Sequence, residues 1–210
     1  MERSNFRDWN IDKIDDVFGT KEVRRLPILE ELLAFEYQAD DYETRYLSRL
    51  SENYLTLGGN SWNEVELENK LISPVIVFSG IESERFAYFL EREMTAEIGE
   101  YELVGKVDGM IATGLRNPKI PYFCLYEYKR QTDPNGDPLG QALIAMLVAQ
   151  KLNNNQKPIF GGYIIGRNWY FMALVGNEYA ISKDFSCVDD EMFDIFRILK
   201  SLRVQIEKLL

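Results

Sequence analysis

Val104-Gly105-Lys106-Val107-Asp108-Gly109-Met110-Ile111-Ala112 and, further along, Phe123-Cys124-Leu125-Tyr126-Glu127-Tyr128-Lys129-Arg130 are two apolar, β-prone runs that each carry isolated charges. Side chains alternate along a strand, so Glu127 and Lys129 project from one face together with Phe123 and Leu125. A carboxylate and an ammonium on a mostly apolar surface are costly unless they are paired or coordinate something. Taken alone, this Glu-x-Lys reads first as a satisfied ion pair at a sheet end. The upstream run changes that reading, because Asp108 is one acid in an apolar strand and Gly109 beside it permits close backbone approach. A hairpin joining residues 101 to 112 with 121 to 130 brings Asp108 beside Glu127, and two adjacent carboxylates repel unless a cation lies between them. Hard oxygen ligands without histidine or cysteine favour Mg²⁺ or Mn²⁺ over zinc.

Around these runs the pattern is helices, strands, helix, strands, helix, which reads as an α/β protein with a mixed sheet flanked by helices. Apolar residues recur at helical spacing from Leu26 to Leu57 and break near Ala39-Asp40-Asp41, where an aspartate can cap a second helix. Residues 1 to 60 thus read as an N-terminal helical extension and 61 to 210 as the core, in one domain overall. Ser61 or Asn63 can cap a helix running through Val77. Short β-like runs begin near Glu93 and comprise 94 to 98, 101 to 112 and 121 to 130. Asp133-Pro134-Asn135-Gly136-Asp137-Pro138 reads as a loop before a helix from about Leu139 to Asn153, whose small residues suit close packing on a sheet. Strands near 159 to 165, 169 to 175 and 178 to 182 precede a closing helix over 191 to 209.

In the helix after Asn63, Glu64, Glu68, Leu71 and Val75 form one stripe at about 100° per residue, beside a Val65/Ile72/Ile76 core stripe. Glu66 and Lys70 fall on the other side as a solvated i,i+4 pair. Glu64, with Glu68 second, is therefore the acid expected to face the site, although an acid at a helix start is also favourable simply at the positive end of the dipole.

The chain has 210 residues, 46% of them hydrophobic and 28% charged, a composition that excludes disorder. It contains no histidine, which removes Ser-His-Asp, Cys-His and His-metal mechanisms and makes zinc a poor fit. Two cysteines, Cys124 and Cys187, give no disulfide framework and read as reduced core residues. The apolar run Ala142 to Ala149 is far too short to span a bilayer, and the start lacks a signal pattern, so a soluble cytoplasmic protein without membrane partners is expected. The net charge of −10 argues against a nucleic-acid partner until it is divided: residues 1 to 104 carry −12, residues 105 to 170 carry +4 and residues 171 to 210 carry −2. The basic stretch is the one that holds Asp108, Glu127 and Lys129. Gly161-Gly162 and Gly166 do not form a dinucleotide-binding fingerprint. Trp169, Tyr170 and Phe171 alternate across a strand and read as core and surface partners rather than a base-stacking platform.

An acid on a helix, Gly105-Lys106-Val107-Asp108-Gly109, Tyr126-Glu127-Tyr128-Lys129, and Gly140-Gln141 opening the next helix together resemble the PD-(D/E)xK nuclease superfamily. The stretch from Asn63-Glu64 to Ser73-Pro74 also looks like the first core helix of type I restriction motor-subunit nuclease domains. The likeness spans roughly residues 62 to 175; one departure is Val107 in place of the superfamily's proline. It implies a restriction-endonuclease-like fold and Mg²⁺- or Mn²⁺-dependent hydrolysis of phosphodiester bonds in nucleic acid, DNA ahead of RNA, with a homodimer as an option. It further implies that Asp108 and Glu127 hold the metal, that Glu64 completes or buttresses the site, that Lys129 positions or helps deprotonate water, and that Gln141 orients Lys129 or a phosphate. A fold kept as a nucleic-acid-binding or protein-interaction module without catalysis is the alternative.

Overall fold

A long β-hairpin organises the molecule: β3 (Phe86–Ile98) turns at Gly99 into β4 (Tyr101–Thr113), which turns near Gly114 into β5 (Lys119–Lys129). Both glycines have positive φ, 60° and 92°, a backbone that side-chain-bearing residues adopt reluctantly. The computed structural model describes residues 1–131 and 136–210, so residues 133 to 135 of the expected loop lie outside the described residues. β5 pairs in parallel with β6 (Ile159–Ile165), and a parallel pair needs a crossover, supplied by α6 (Pro138–Asn153). β7 (Asn168–Val175), β8 (Glu178–Ile181) and β9 (Phe185–Ser186) follow, and α7 (Glu191–Leu209) closes the chain.

The result is an α/β protein with a mixed nine-stranded sheet in the order β1-β4-β5-β6-β7-β8-β2, with β3 on β4 and β9 on β7. Residues 1 to 60 supply the expected helices and, in addition, β1 (Glu2–Asn5), parallel to β4, and β2 (Lys21–Glu22), parallel to β8. Strands of four and two residues are too short to leave a periodic trace. Between and after them lie α1 (Ile11–Phe18), α2 (Pro27–Leu33) and α3 (Asp41–Thr56). The α2–α3 hairpin follows the expected break, with the Asp40 carboxylate accepting from the backbone of Tyr42 and Glu43. Among the described residues no helix is long and apolar enough to cross a membrane.

Two cores flank the sheet. On one side α6 packs with Phe6, Trp9 and Ile14, and residues Gly140 to Ala149 of α6 are all buried. A Cβ on Gly161 would run into Met146, so the helix rides close to the strands there. On the other side α2, α3 and α7 pack with the helix over residues 64 to 78. Phe123 belongs to this second core, against Phe86, rather than to the Leu125 face, because the β4–β5 register shifts beside Ile111 and Ala112. Cys124 and Cys187 are buried free thiols.

The helix over 64 to 78 is not one regular α-helix. It comprises α4 (Glu64–Leu67), a π turn over Glu68–Ile72 and α5 (Ser73–Phe78). The wider turn shifts the helix phase, so Leu67, Leu71, Ile72, Val75 and Ile76 are buried while Val65, expected in the core, is 66% exposed.

Candidate active site

The hairpin β3–β4 keeps its register from Phe86↔Thr113 to Ile98↔Tyr101, yet its faces invert midway. Phe86, Tyr88 and Leu90 face the core of α2, α3 and α7, whereas Met94 and Ala96, also even-numbered, face α6. In β4 Leu103 and Val107 face α6, but beyond Asp108 it is Met110 and Ala112 that do so and Ile111 that faces away. Alternation therefore slips at Glu91 and Asp108, the one step the register skips between Leu90↔Gly109 and Arg92↔Val107. Glu91 has φ 56°, the left-handed region, which a side-chain-bearing residue adopts at a cost and which recurs at functional sites.

Freed from both faces, Asp108 reaches sideways. The β4–β5 ladder stops at Gly109↔Tyr126, and the Asp108 Oδ2 accepts the next β5 amide, Tyr128 N–H, at 2.7 Å. The two strands fork here, since β4 pairs onward with β1 while β5 stays with β6 as far as Lys129↔Ile165. Gly109 is required at the fork. A Cβ on it would run into the Tyr128 hydroxyl, which lies 2.5 Å from that of Tyr88.

Glu127, Lys129 and Glu64 converge at this fork. Lys129 Nζ donates to Glu127 Oε1 at 2.8 Å and lies 3.6 Å from Glu64 Oε1. Glu64, rather than Glu66, is thus the helix acid that reaches the site. Glu66 instead accepts the Asn63 N–H in a capping box and pairs with Lys70 at 2.9 Å. Glu127 is only 6% exposed, and burial first, then the neighbouring Asp108 charge, push its carboxyl up to about 7 despite Lys129. Burial also raises Asp108, against the Tyr128 amide and the Lys129 charge, which pull it down. Burial works against the charge on Lys129, but Glu127, Glu64 and Asp108 outweigh it and hold its pKa above the ordinary value. With these three carboxylates around it the lysine is held as a cation, suited to positioning and charge balance.

Two further acids belong to the neighbourhood. Glu68 is raised by burial and then by Asp108 and Glu91. Glu91 pairs with Lys106. Nothing in the run Phe89-Leu90-Glu91-Arg92-Glu93 marks Glu91 out, because its placement depends on the inversion of the hairpin. Gln141 is buried in the first turn of α6 as expected. Its amide donates to the Asp137 carbonyl at 3.4 Å, and among the described residues no bond joins it to Lys129.

These donors suit a hard divalent cation. Asp108 and Glu127 are two poorly hydrated carboxylates that disfavour each other's charge, and Mg²⁺ is held by one or two carboxylates while keeping several waters. Among the described residues no three carboxylate or thiol groups are gathered into a closed cage, so water would have to complete any such coordination. No model of a known protein family matches the sequence, and no curated protein matches it either.

Proposed function

We propose that the protein is a metal-dependent nuclease that hydrolyses phosphodiester bonds in nucleic acid. The observation that carries this reading is the forked sheet end, where the buried Glu127 carboxyl, raised to about 7, and Asp108 lie beside a lysine held as a cation. Asp108 and Glu127 would hold Mg²⁺ or Mn²⁺, which when bound supplies a water of lowered pKa and a counter-charge for the phosphate. The Tyr128 amide fixes Asp108, and the fork leaves Asp108 and Glu127 on two strands whose ladder ends at Gly109↔Tyr126. Lys129 balances the carboxylates and offers donors to a phosphate oxygen or an attacking water. Glu64, about half exposed, adds a second carboxylate beside Lys129 from the helix start. The basic balance of residues 105 to 170 favours a polyanionic substrate.

A non-catalytic nucleic-acid-binding or protein-interaction module is the second reading, favoured by the lack of a closed three-ligand cage among the described residues. Cleavage of circular and linear, single- and double-stranded DNA and RNA with Mg²⁺ or Mn²⁺ separates the two. Metal-dependent cleavage lost in Asp108→Asn supports the nuclease. Identical products from parent and Asp108→Asn reject it.

A further inference from the structure

We infer that Arg7 and Arg92 hold the phosphate backbone of a bound strand on the Asp108 side of the fork, so that the N-terminal segment supplies half of the substrate track. This rests on the nuclease reading. The open stretch of β4 is the origin of the idea. β5 leaves β4 at Gly109 and β1 joins it only at Tyr101 to Val104, so residues 105 to 108 are flanked by neither strand. The turn after β1 packs over this stretch: a Cβ on Gly105 would run into the Phe6 ring, and Arg7 is the next residue along the turn. The turn is rigid, since Asn5 accepts from Arg7 N–H at 3.1 Å and Asp8 accepts from Asn5 N–H at 2.9 Å. Arg7 is exposed and close enough to Lys106 for their charges to be felt.

Arg92 approaches the same stretch from the other strand as the partner of Val107. Among the described residues its buried Nε has no hydrogen-bond partner, and its guanidinium lies 5.7 Å from the Phe89 ring. A desolvated donor with no acceptor calls for an explanation, and an anion arriving with the substrate provides one. The other cations at the fork are already engaged: Lys106 with Glu91, Lys129 with Glu127 and Glu64. Arg7 and Arg92 form no ion pair among the described residues. Guanidinium groups bind phosphate bidentately, and a chain of net charge −10 needs such local contacts to hold a polyanion.

The test is binding of short fluorescein-labelled DNA, single-stranded and duplex, to the full chain in EDTA, followed by anisotropy across a KCl series. Arg7→Ala and Arg92→Ala should each weaken binding about tenfold. Each should also reduce the slope of log affinity against log salt by about 0.9 on duplex or about 0.7 on a single strand. Arg116→Ala, in the distant β4–β5 turn, should leave the slope unchanged. If thermal melts show that Arg92→Ala does not fold, Arg92→Lys takes its place and should keep the slope while losing affinity. A parent that binds with a salt slope that both alanine variants retain overturns the inference and leaves the nuclease reading standing. A parent that neither binds nor cleaves DNA or RNA overturns both.

Discussion

Replacing Glu127 by glutamine in the metal-free protein should change how stability depends on pH. Its folded pKa of about 7 lies above the ordinary value of 4.5, because burial and Asp108 disfavour the charged form. The folded state therefore binds more protons than the unfolded state between those values, and stability falls as pH rises through that window. The Glu127 contribution is fully present below pH 4.5, and most of it is lost by a little above pH 7. At about 1.4 kcal/mol per pKa unit the loss amounts to about 3 kcal/mol, with no discount for screening because the side chain is buried. In a chain of this length that corresponds to about 6 to 12 °C in melting temperature. Asp108 is displaced in the same direction and adds to the trend, whereas Lys129 stays charged throughout. Thermal melts of parent and Glu127→Gln in EDTA, from pH 4.5 to 8.5 at fixed ionic strength, should diverge steadily. The variant should lose less stability towards alkaline pH. Parallel profiles would show that Glu127 does not carry the strain and would refute the electrostatic account of the site.

Mn²⁺ or Mg²⁺ should raise the melting temperature in proportion to the logarithm of free metal above its dissociation constant, about 2.7 kcal/mol at a hundredfold excess. Asp108→Asn should be at least as stable as the parent in EDTA and gain little from metal; equal shifts in the two proteins would remove the metal site. Glu64→Gln should lower activity at saturating metal with little change in melting temperature, whereas Glu66→Gln, which can keep the capping bond and loses only the exposed Lys70 pair, should cost no more than about 0.5 kcal/mol and leave activity alone, as paired kinetics and melts will show. Gly109→Ala should destabilise by about 1 to 3 kcal/mol, and adding Tyr128→Phe should recover part of that by removing the hydroxyl in the way. Additive losses in the double variant would place the clash elsewhere.

The strands over 101 to 113 and 119 to 129, the α6 helix and the closing helix are legible in the sequence because each has a clear apolar periodicity and clear punctuation. From those elements the proximity of Asp108, Glu127 and Lys129 also follows. The start of β3 is not legible, since residues 86 to 98 alternate in one phase before Glu91 and in the opposite phase after it, so no single period fits. Val65 is misplaced for a related reason: a uniform turn of the helix carries it into the core, and the π turn over 68 to 72 does not. Arg7 owes its position to the pairing of β1 with β4, far apart in sequence, and Arg92 to the changed phase of β3 after Glu91; local patterning encodes neither.

The π turn also makes the site's assembly depend on chain length. A π turn is an α-helix carrying one extra residue, so losing any one residue from Glu68 to Ile72 would let the segment relax to a regular helix. With α5 held by its buried Val75 and Ile76, that relaxation would rotate the preceding turn by about 100°. Glu64 would swing away from Lys129 while its own codon stayed unchanged. Loss of the single codon for Asn69 would thus detach an acid from the fork without deleting any charged residue.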